Sequence, residues 1–133
     1  SRLSRWYSAE SFTGFVRDPA ALRALYEGAY CYLHGHEYGG TNPTLLEGLA
    51  SGCCILAHDN VFNREVLAGE KHGLFFSRDP DAVARLIDRV ETDSALVAHL
   101  RAKARERIHS QYNWELVAAQ YDAIFARLLE RPR

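Results

Sequence analysis

The sequence predicts an α/β fold, in which a parallel β-sheet is covered by helices on both faces and the C-terminal end is helical. Short, continuously apolar runs alternate with segments of helical periodicity, and strands without polar alternation are typical of a parallel sheet. Three helix starts carry one signal, an Asp or Asn followed by Pro, which places a capping side chain before the first helical position.

The elements follow in order along the chain. Strands are predicted at residues 11–13, 29–33, 53–57 and 73–76, with a short helical turn at 63–67. Helices are predicted to begin at Asp18-Pro19, Asn42-Pro43, Asp79-Pro80, Ser94 and Trp114. Because ligands of such sheets bind beyond the carboxyl ends of the strands, the candidate loops are residues 14–17, 34–42 and 58–63.

The bulk properties fit a single soluble domain spanning residues 1–133. The 133 residues carry a formal net charge of −1, which gives no electrostatic case for nucleic acid or an anionic membrane surface as a partner. The three cysteines, two of them adjacent, fall in predicted strands and indicate reduced thiols in the cytoplasm. The first residue is Ser and the chain contains no Met, so we expect a piece of a longer protein.

The glycine-rich loop before Asn42-Pro43 is the main candidate site. Gly39 and Gly40 allow positive φ and close approach of the backbone to a ligand. The N–H groups and dipole of the following helix favour an anion such as a phosphate. Glu47 lies off the apolar stripe of that helix, where its carboxylate either accepts hydrogen bonds from a ribose diol or contacts only water.

Residues 39–52, GGTNPTLLEGLASG, resemble the donor-binding signature of family 4 glycosyltransferases of the GT-B fold. The usual form of that signature is Glu-x7-Glu followed by Ala-Met-Ala-x-Gly. The resemblance extends over residues 11–16, 25–33 and 73–76, and from Tyr112 onward. His34 and His36, together with residues 63–67, are most similar to a bacterial subgroup that includes rhamnosyltransferase-like members making surface polysaccharide.

The resemblance implies a partial nucleotide-sugar-binding domain with a Rossmann-like sheet. Its donor would be a UDP- or dTDP-sugar, and the sugar would pass with retention to a hydroxyl acceptor, without a metal or other cofactor. An N-terminal domain of a longer chain would bind the acceptor and could bring peripheral membrane association, so we expect residues 1–133 alone to be inactive. The donor-binding residues implied are Phe15, Val16, Gly39, Gly40, Thr41, Asn42 and Glu47.

Within this set, Glu47 would bind the ribose, Phe15 and Val16 would lie against the base, and the loop amides would face the diphosphate. One departure from the signature concerns the sugar. Eight residues before Glu47 stands Gly39 where the family has its first glutamate, and the nearest carboxylate is Glu37, the candidate catalytic residue.

Two alternatives from other functional classes remain open. A metal site is one, since imidazole and carboxylate ligands could come from His34, His36, Glu37, His58 and Asp59. A non-catalytic interaction domain is the other, because the first motif glutamate is absent. Asn63 and Glu65 are second candidates for the site, since they follow a strand's carboxyl end. Arginines 101–107 are interpreted as a solvated face, and Trp114 as a packing anchor.

Overall fold

A computed structural model describes residues 12–130 and contains a parallel sheet of three strands. The strands are β1 (Tyr32–His34), β2 (Ile55–His58) and β3 (Leu74–Phe76), in the order β1-β2-β3. Tyr32 pairs with Ile55, and Leu56 pairs with Leu74. All three carboxyl ends therefore lie at one edge of the sheet, where the glycine loop follows β1.

The described part of the chain contains six α-helices. They are α1 (Pro19–Gly28), α2 (Pro43–Ala50), α3 (Val61–Val66), α4 (Pro80–Thr92), α5 (Ser94–Gln111) and α6 (Trp114–Leu129), with a 3₁₀ turn at Gly69–Lys71. The three helices with an N-terminal proline begin at the predicted residues, because each preceding Asp or Asn caps the helix with its side chain. The predicted α/β fold with a helical C-terminal end is confirmed.

The core lies on both faces of β2. Ile55 and Ala57 face one cluster, which includes Leu45 and Leu49 of α2, whereas Leu56 faces the other cluster. Successive strand residues point to opposite faces, so a strand that is apolar throughout must be covered twice. Helix α5 contributes to both clusters and closes the core.

Two strand predictions need correction. Ser11 lies outside the described residues, and Phe12 and Thr13 form no strand; Phe12 is 92% exposed. These two residues join no ladder with a neighbouring strand, which a β conformation needs for its backbone hydrogen bonds. The strand expected at residues 29–33 begins only at Tyr32, because the N–H of Ala29 donates to carbonyls at the end of α1.

Three arginines of α5 donate hydrogen bonds to the C-terminal ends of other helices, so residues 101–107 are not only the solvated face that was expected, although Arg105 is exposed. Each guanidinium donates to backbone carbonyls that have no partner within their own helix. Positive charge at this end also complements the helix dipole. The bonds run from Arg101 to Glu27 of α1 and to Ala29 just after it, from Arg105 to Ala50 of α2, and from Arg107 to Glu65 and Val66 of α3, at 2.6–3.1 Å.

Helix α6 has an apolar side but no buried residue. Trp114 is 85% exposed, so its interpretation as a packing anchor is wrong within residues 12–130. Tyr121 and Phe125 contact one another and are both exposed. No helix in the described range is long and apolar enough to cross a membrane.

Candidate functional site

The glycine loop leads from β1 into α2, and its backbone has the predicted conformation. Gly39 and Gly40 have φ values of 112° and 74°. A side chain is strained in this region, so glycine is required here. Gly39 stands at the position of the first glutamate in the family signature. Its backbone conformation at positive φ disfavours a glutamate there.

The N-terminus of α2 is held by a chain of hydrogen bonds. Asn42 Oδ1 accepts from the N–H of Thr44 at 3.0 Å and from the Thr44 hydroxyl at 2.7 Å. The Tyr32 hydroxyl donates to Thr44 Oγ1 at 3.2 Å and lies 3.0 Å from His34 Nδ1. Tyr32 has one hydroxyl hydrogen, so when it is donated to Thr44 the hydrogen bond between Tyr32 and His34 requires the His34 proton on Nδ1.

In that tautomer His34 Nε2 has a lone pair and no hydrogen. His34 is 3% exposed, and its Nε2 has no hydrogen-bond partner among the described residues. Burial lowers the pKa of His34, and neighbouring His36 lowers it further. The folded protein therefore favours the neutral imidazole at this position.

We predict a pH dependence of stability from this histidine. Its folded pKa lies below the unfolded value of about 6.5. Above the unfolded pKa, His34 is neutral in both states and does not lower the free energy of unfolding. The free energy of unfolding should fall as the pH drops below the unfolded pKa and through the folded pKa. His34→Asn keeps a donor for Tyr32 and cannot titrate, so urea unfolding between about pH 7.5 and 5.5 should show a smaller loss. His99→Asn, at an exposed histidine of α5, is the control. Equal pH slopes for wild type and His34→Asn would contradict the prediction.

Glu47 lies on the exposed side of α2, beside a cleft of about 290 Å³ between α1 and α2. Tyr26 lines the same cleft, and burial raises its pKa to about 12, with Tyr32 and the carboxylate of Glu47 adding to the shift. A carboxylate next to a mostly apolar cleft has the character of a polar anchor in a small-molecule site. The cleft is lined by Pro19, Leu22, Arg23, Tyr26, Glu47, Ala50 and Ser51.

Glu37 lies in a different cleft, of about 370 Å³, at the carboxyl ends of the strands. Its carboxylate forms an ion pair with Arg78, which follows β3. His58, at the end of β2, lines the same cleft. Sequence reasoning missed Arg78, although its position directly after a strand's carboxyl end is the signal that picked out the other loops. Glu37 and Glu47 therefore line separate clefts.

The residues of the metal-site alternative do not converge. Asp59 is bound by Arg64 through two contacts of 2.5 and 2.7 Å, and Glu37 by Arg78. His34 uses Nδ1 toward Tyr32. Across residues 12–130, no group of three or more His, Cys, Asp or Glu side chains could hold a metal ion.

The remaining candidates differ in accessibility. Phe15 is 87% exposed, and neither it nor Val16 lines the cleft beside Glu47. Glu65 is exposed on α3, whereas Asn63 is 3% exposed and donates to backbone carbonyls instead of facing a cleft. The structure thus joins the glycine loop to Glu47 through α2 and leaves the loop at residues 15–16 apart from both clefts.

Comparison with known proteins identifies the family. A model of a family described as glycosyl transferase-like matches residues 4–123. Over 118 residues the chain is 30% identical to a phosphatidyl-myo-inositol mannosyltransferase of Mycolicibacterium smegmatis, covering 86% of this chain and 30% of that protein. Over 120 residues it is 23% identical to an uncharacterized glycosyltransferase of Methanocaldococcus jannaschii, covering 90% of this chain and 30% of that protein.

A solved structure of a related enzyme has a similar fold. Sucrose-phosphate synthase from Thermosynechococcus elongatus superposes with a TM-score of 0.79 at 25% identity, over 96% of this chain and 33% of that one. The chain spans about a third of the length of these relatives. From the family match and the shared Rossmann-like fold of the GT-B type, it follows that the chain belongs to the glycosyl transferase-like family.

Proposed function

We propose that this chain is the donor-binding module of a glycosyltransferase and holds a nucleoside diphosphate sugar, with UDP and dTDP as the candidate nucleotides. As part of a longer protein, it would transfer the sugar to a hydroxyl acceptor with retention at the anomeric carbon. The assignment to family 4 and to a rhamnosyltransferase-like subgroup, with a role in cell-surface polysaccharide or glycan synthesis, belongs to the same proposal and rests on residues 34–47.

One observation carries the proposal. A loop with two glycines at positive φ leads into the capped N-terminus of α2, and Glu47 projects beside a cleft from the same helix. Backbone N–H groups and the helix dipole suit a diphosphate, and the carboxylate suits the sugar hydroxyls, which form a 2′,3′-diol in UDP and are reduced to the 3′-hydroxyl in dTDP. The phosphate and ribose groups of one nucleotide can therefore be bound by adjoining parts of a single loop and helix.

In the proposed chemistry, the loop amides act on the departing diphosphate. As the glycosidic bond breaks, negative charge develops on the departing diphosphate. The amides of Gly40, Thr41 and Asn42 would stabilise that charge, and the barrier falls further the less these donors must reorganise. A helix end and fixed amides supply the positive potential, so we expect transfer without a metal or other cofactor.

The neighbouring domain and the cellular location are also part of the proposal. The exposed apolar side of α6 supports placement next to a second domain, the N-terminal acceptor domain, through which the protein would also approach a membrane. Burial raises the pKa of the Cys54 thiol to about 11, and Cys53 is equally buried. Such unreactive thiols are compatible with a reducing compartment, so we propose a cytoplasmic location.

A second candidate is nucleotide binding without transfer. Gly39 replaces the first motif glutamate, and Glu37 is neutralised by Arg78 in the other cleft. In this candidate the loop amides and Glu47 would still bind a nucleotide, but neither position 39 nor position 37 would offer an unpaired carboxylate to the sugar. Steady turnover of a nucleotide sugar by the full-length protein would exclude this candidate.

Calorimetric titration tests the proposed site. We expect UDP or dTDP to bind more tightly than uridine, thymidine or inorganic pyrophosphate, because only the whole nucleotide contacts both the amides and Glu47. Affinity should be the same with EDTA as with Mg²⁺. If no nucleoside diphosphate or nucleotide sugar binds, the proposed function is wrong.

A further inference from the structure

Two asparagine side chains of the loop and helix after β2 converge on one carbonyl group of the glycine loop. Asn60 Nδ2 and Asn63 Nδ2 each donate to the His36 carbonyl oxygen at 3.1 Å. Asn63 Nδ2 also donates to the His58 carbonyl oxygen at 2.9 Å. An amide nitrogen carries two hydrogens, so Asn63 can donate one to each of these two carbonyl groups.

The position of Asn63 is itself fixed. Its side chain is buried, and its backbone N–H donates to Asn60 Oδ1 at 2.9 Å, which caps α3. The two polar atoms of the Asn60 side chain therefore have separate roles. Oδ1 caps α3, and Nδ2 donates to the His36 carbonyl. That nitrogen also lies 3.4 Å from His58 Nδ1.

We propose that Asn60 and Asn63 are positioning residues that fix the start of the glycine loop, and through it the orientation of the amides at residues 40–42. The inference rests on the proposed donor-binding function. His36 stands three residues before Gly39, and the other end of the loop is fixed at Asn42 by the cap and Thr44. Only residues 37–41 lie between these two anchors.

Two tethers on so short a segment restrict its conformations before a ligand arrives. Preorganised donors bind an anion more tightly because less conformational entropy is lost on binding. Loss of the tether at His36 should therefore weaken nucleotide binding, although neither asparagine needs to touch the nucleotide. Removal of Glu47 would instead weaken binding with the loop unchanged.

The test is Asn60→Asp in the purified protein, since this substitution separates the two roles. Aspartate retains an oxygen that caps α3 but has no hydrogen to give to His36. We expect UDP or dTDP affinity to fall about three- to tenfold, with a loss of Tm no larger than that of the control variant given below. In the ligand-free protein, ¹⁵N order parameters at Gly39 and Gly40 should fall from roughly 0.85 toward 0.6. Asn63→Asp would bury a carboxylate beside two carbonyl oxygens, so it should lower the Tm as well as the affinity, and Asn60→Asp is the variant that separates the two effects.

The matched control is Asn113→Asp at the start of α6. Asn113 has the same arrangement, with Oδ1 accepting from Leu116 N–H at 2.8 Å and Nδ2 donating to the His109 carbonyl at 2.7 Å. We expect its nucleotide affinity to be unchanged. Unaltered affinity in Asn60→Asp and Asn63→Asp, with tight binding by wild type, would overturn the inference. No binding by wild type would instead refute the proposed function, while the order parameters would still decide whether the tether exists.

Discussion

Replacing Glu47 with glutamine should weaken UDP binding by about 10- to 100-fold without changing the Tm. A hydrogen bond to a charged group contributes about 1.5–3 kcal/mol, and each 1.4 kcal/mol is about tenfold in affinity. Glu47 is exposed on α2, and the described bonds that hold the helix do not involve its carboxylate. The loss should therefore appear in calorimetric titration and not in thermal unfolding.

Comparison of UDP with 2′-deoxyuridine diphosphate sharpens this test. If the carboxylate binds both ribose hydroxyls, wild type should prefer UDP, and Glu47→Gln should reduce that preference. Glu115→Gln, at a glutamate exposed on α6, is the control and should bind both nucleotides like wild type. Wild-type affinity in Glu47→Gln for both nucleotides would rule out a ribose contact.

Gly73→Ala should destabilise the fold by about 1–3 kcal/mol, the usual cost of inserting a methyl into a packed core. A Cβ at Gly73 would lie 2.9 Å from Leu67 Cδ1 and 3.1 Å from the carbonyl oxygen of Ile55. The Ile55 carbonyl belongs to the backbone of the central strand, which cannot give way as the end of a side chain can. The measurement is urea unfolding, and the expected shift is a lower midpoint with an unchanged slope.

Gly28→Ala is the matched control for this substitution. Gly28 is the last residue of α1, and a Cβ there would meet nothing within 4 Å. Alanine favours the helix by up to about 1 kcal/mol over glycine, so this variant should be equally stable or slightly more stable. Equal stability of Gly73→Ala and wild type would mean that the packing around Gly73 is looser than the structure indicates.

The helix starts could be predicted closely, whereas the strand ends could not. A cap such as Asn42 acts within a few residues of its own helix, so the local sequence contains the whole signal. A strand exists only where a neighbour completes its ladder, and Tyr32 begins β1 where its N–H meets the Cys54 carbonyl at 2.8 Å. Local sequence does not say which neighbour lies there, so Phe12 and Thr13 were wrongly expected to pair.

The same distinction applies to the site. The glycine loop, Asn42 and Glu47 lie within one stretch of sequence, so the amino-acid sequence alone is enough to place them together. The contact of Asn63 with His36 spans 27 residues, and it depends on which two loops become neighbours at the sheet edge. The roles of the assigned donor residues remain predictions until binding is measured.

The arginines of α5 affect how this chain folds. Arg101 reaches Ala29 across 72 residues, Arg105 reaches Ala50 across 55, and Arg107 reaches Val66 across 41. Each contact closes a long loop of chain, so it should form late, after the sheet and its helices have assembled. Detachment of α5 would release the ends of α1, α2 and α3 at once, so the loop that carries the amides and the helix that carries Glu47 should unfold as one cooperative unit.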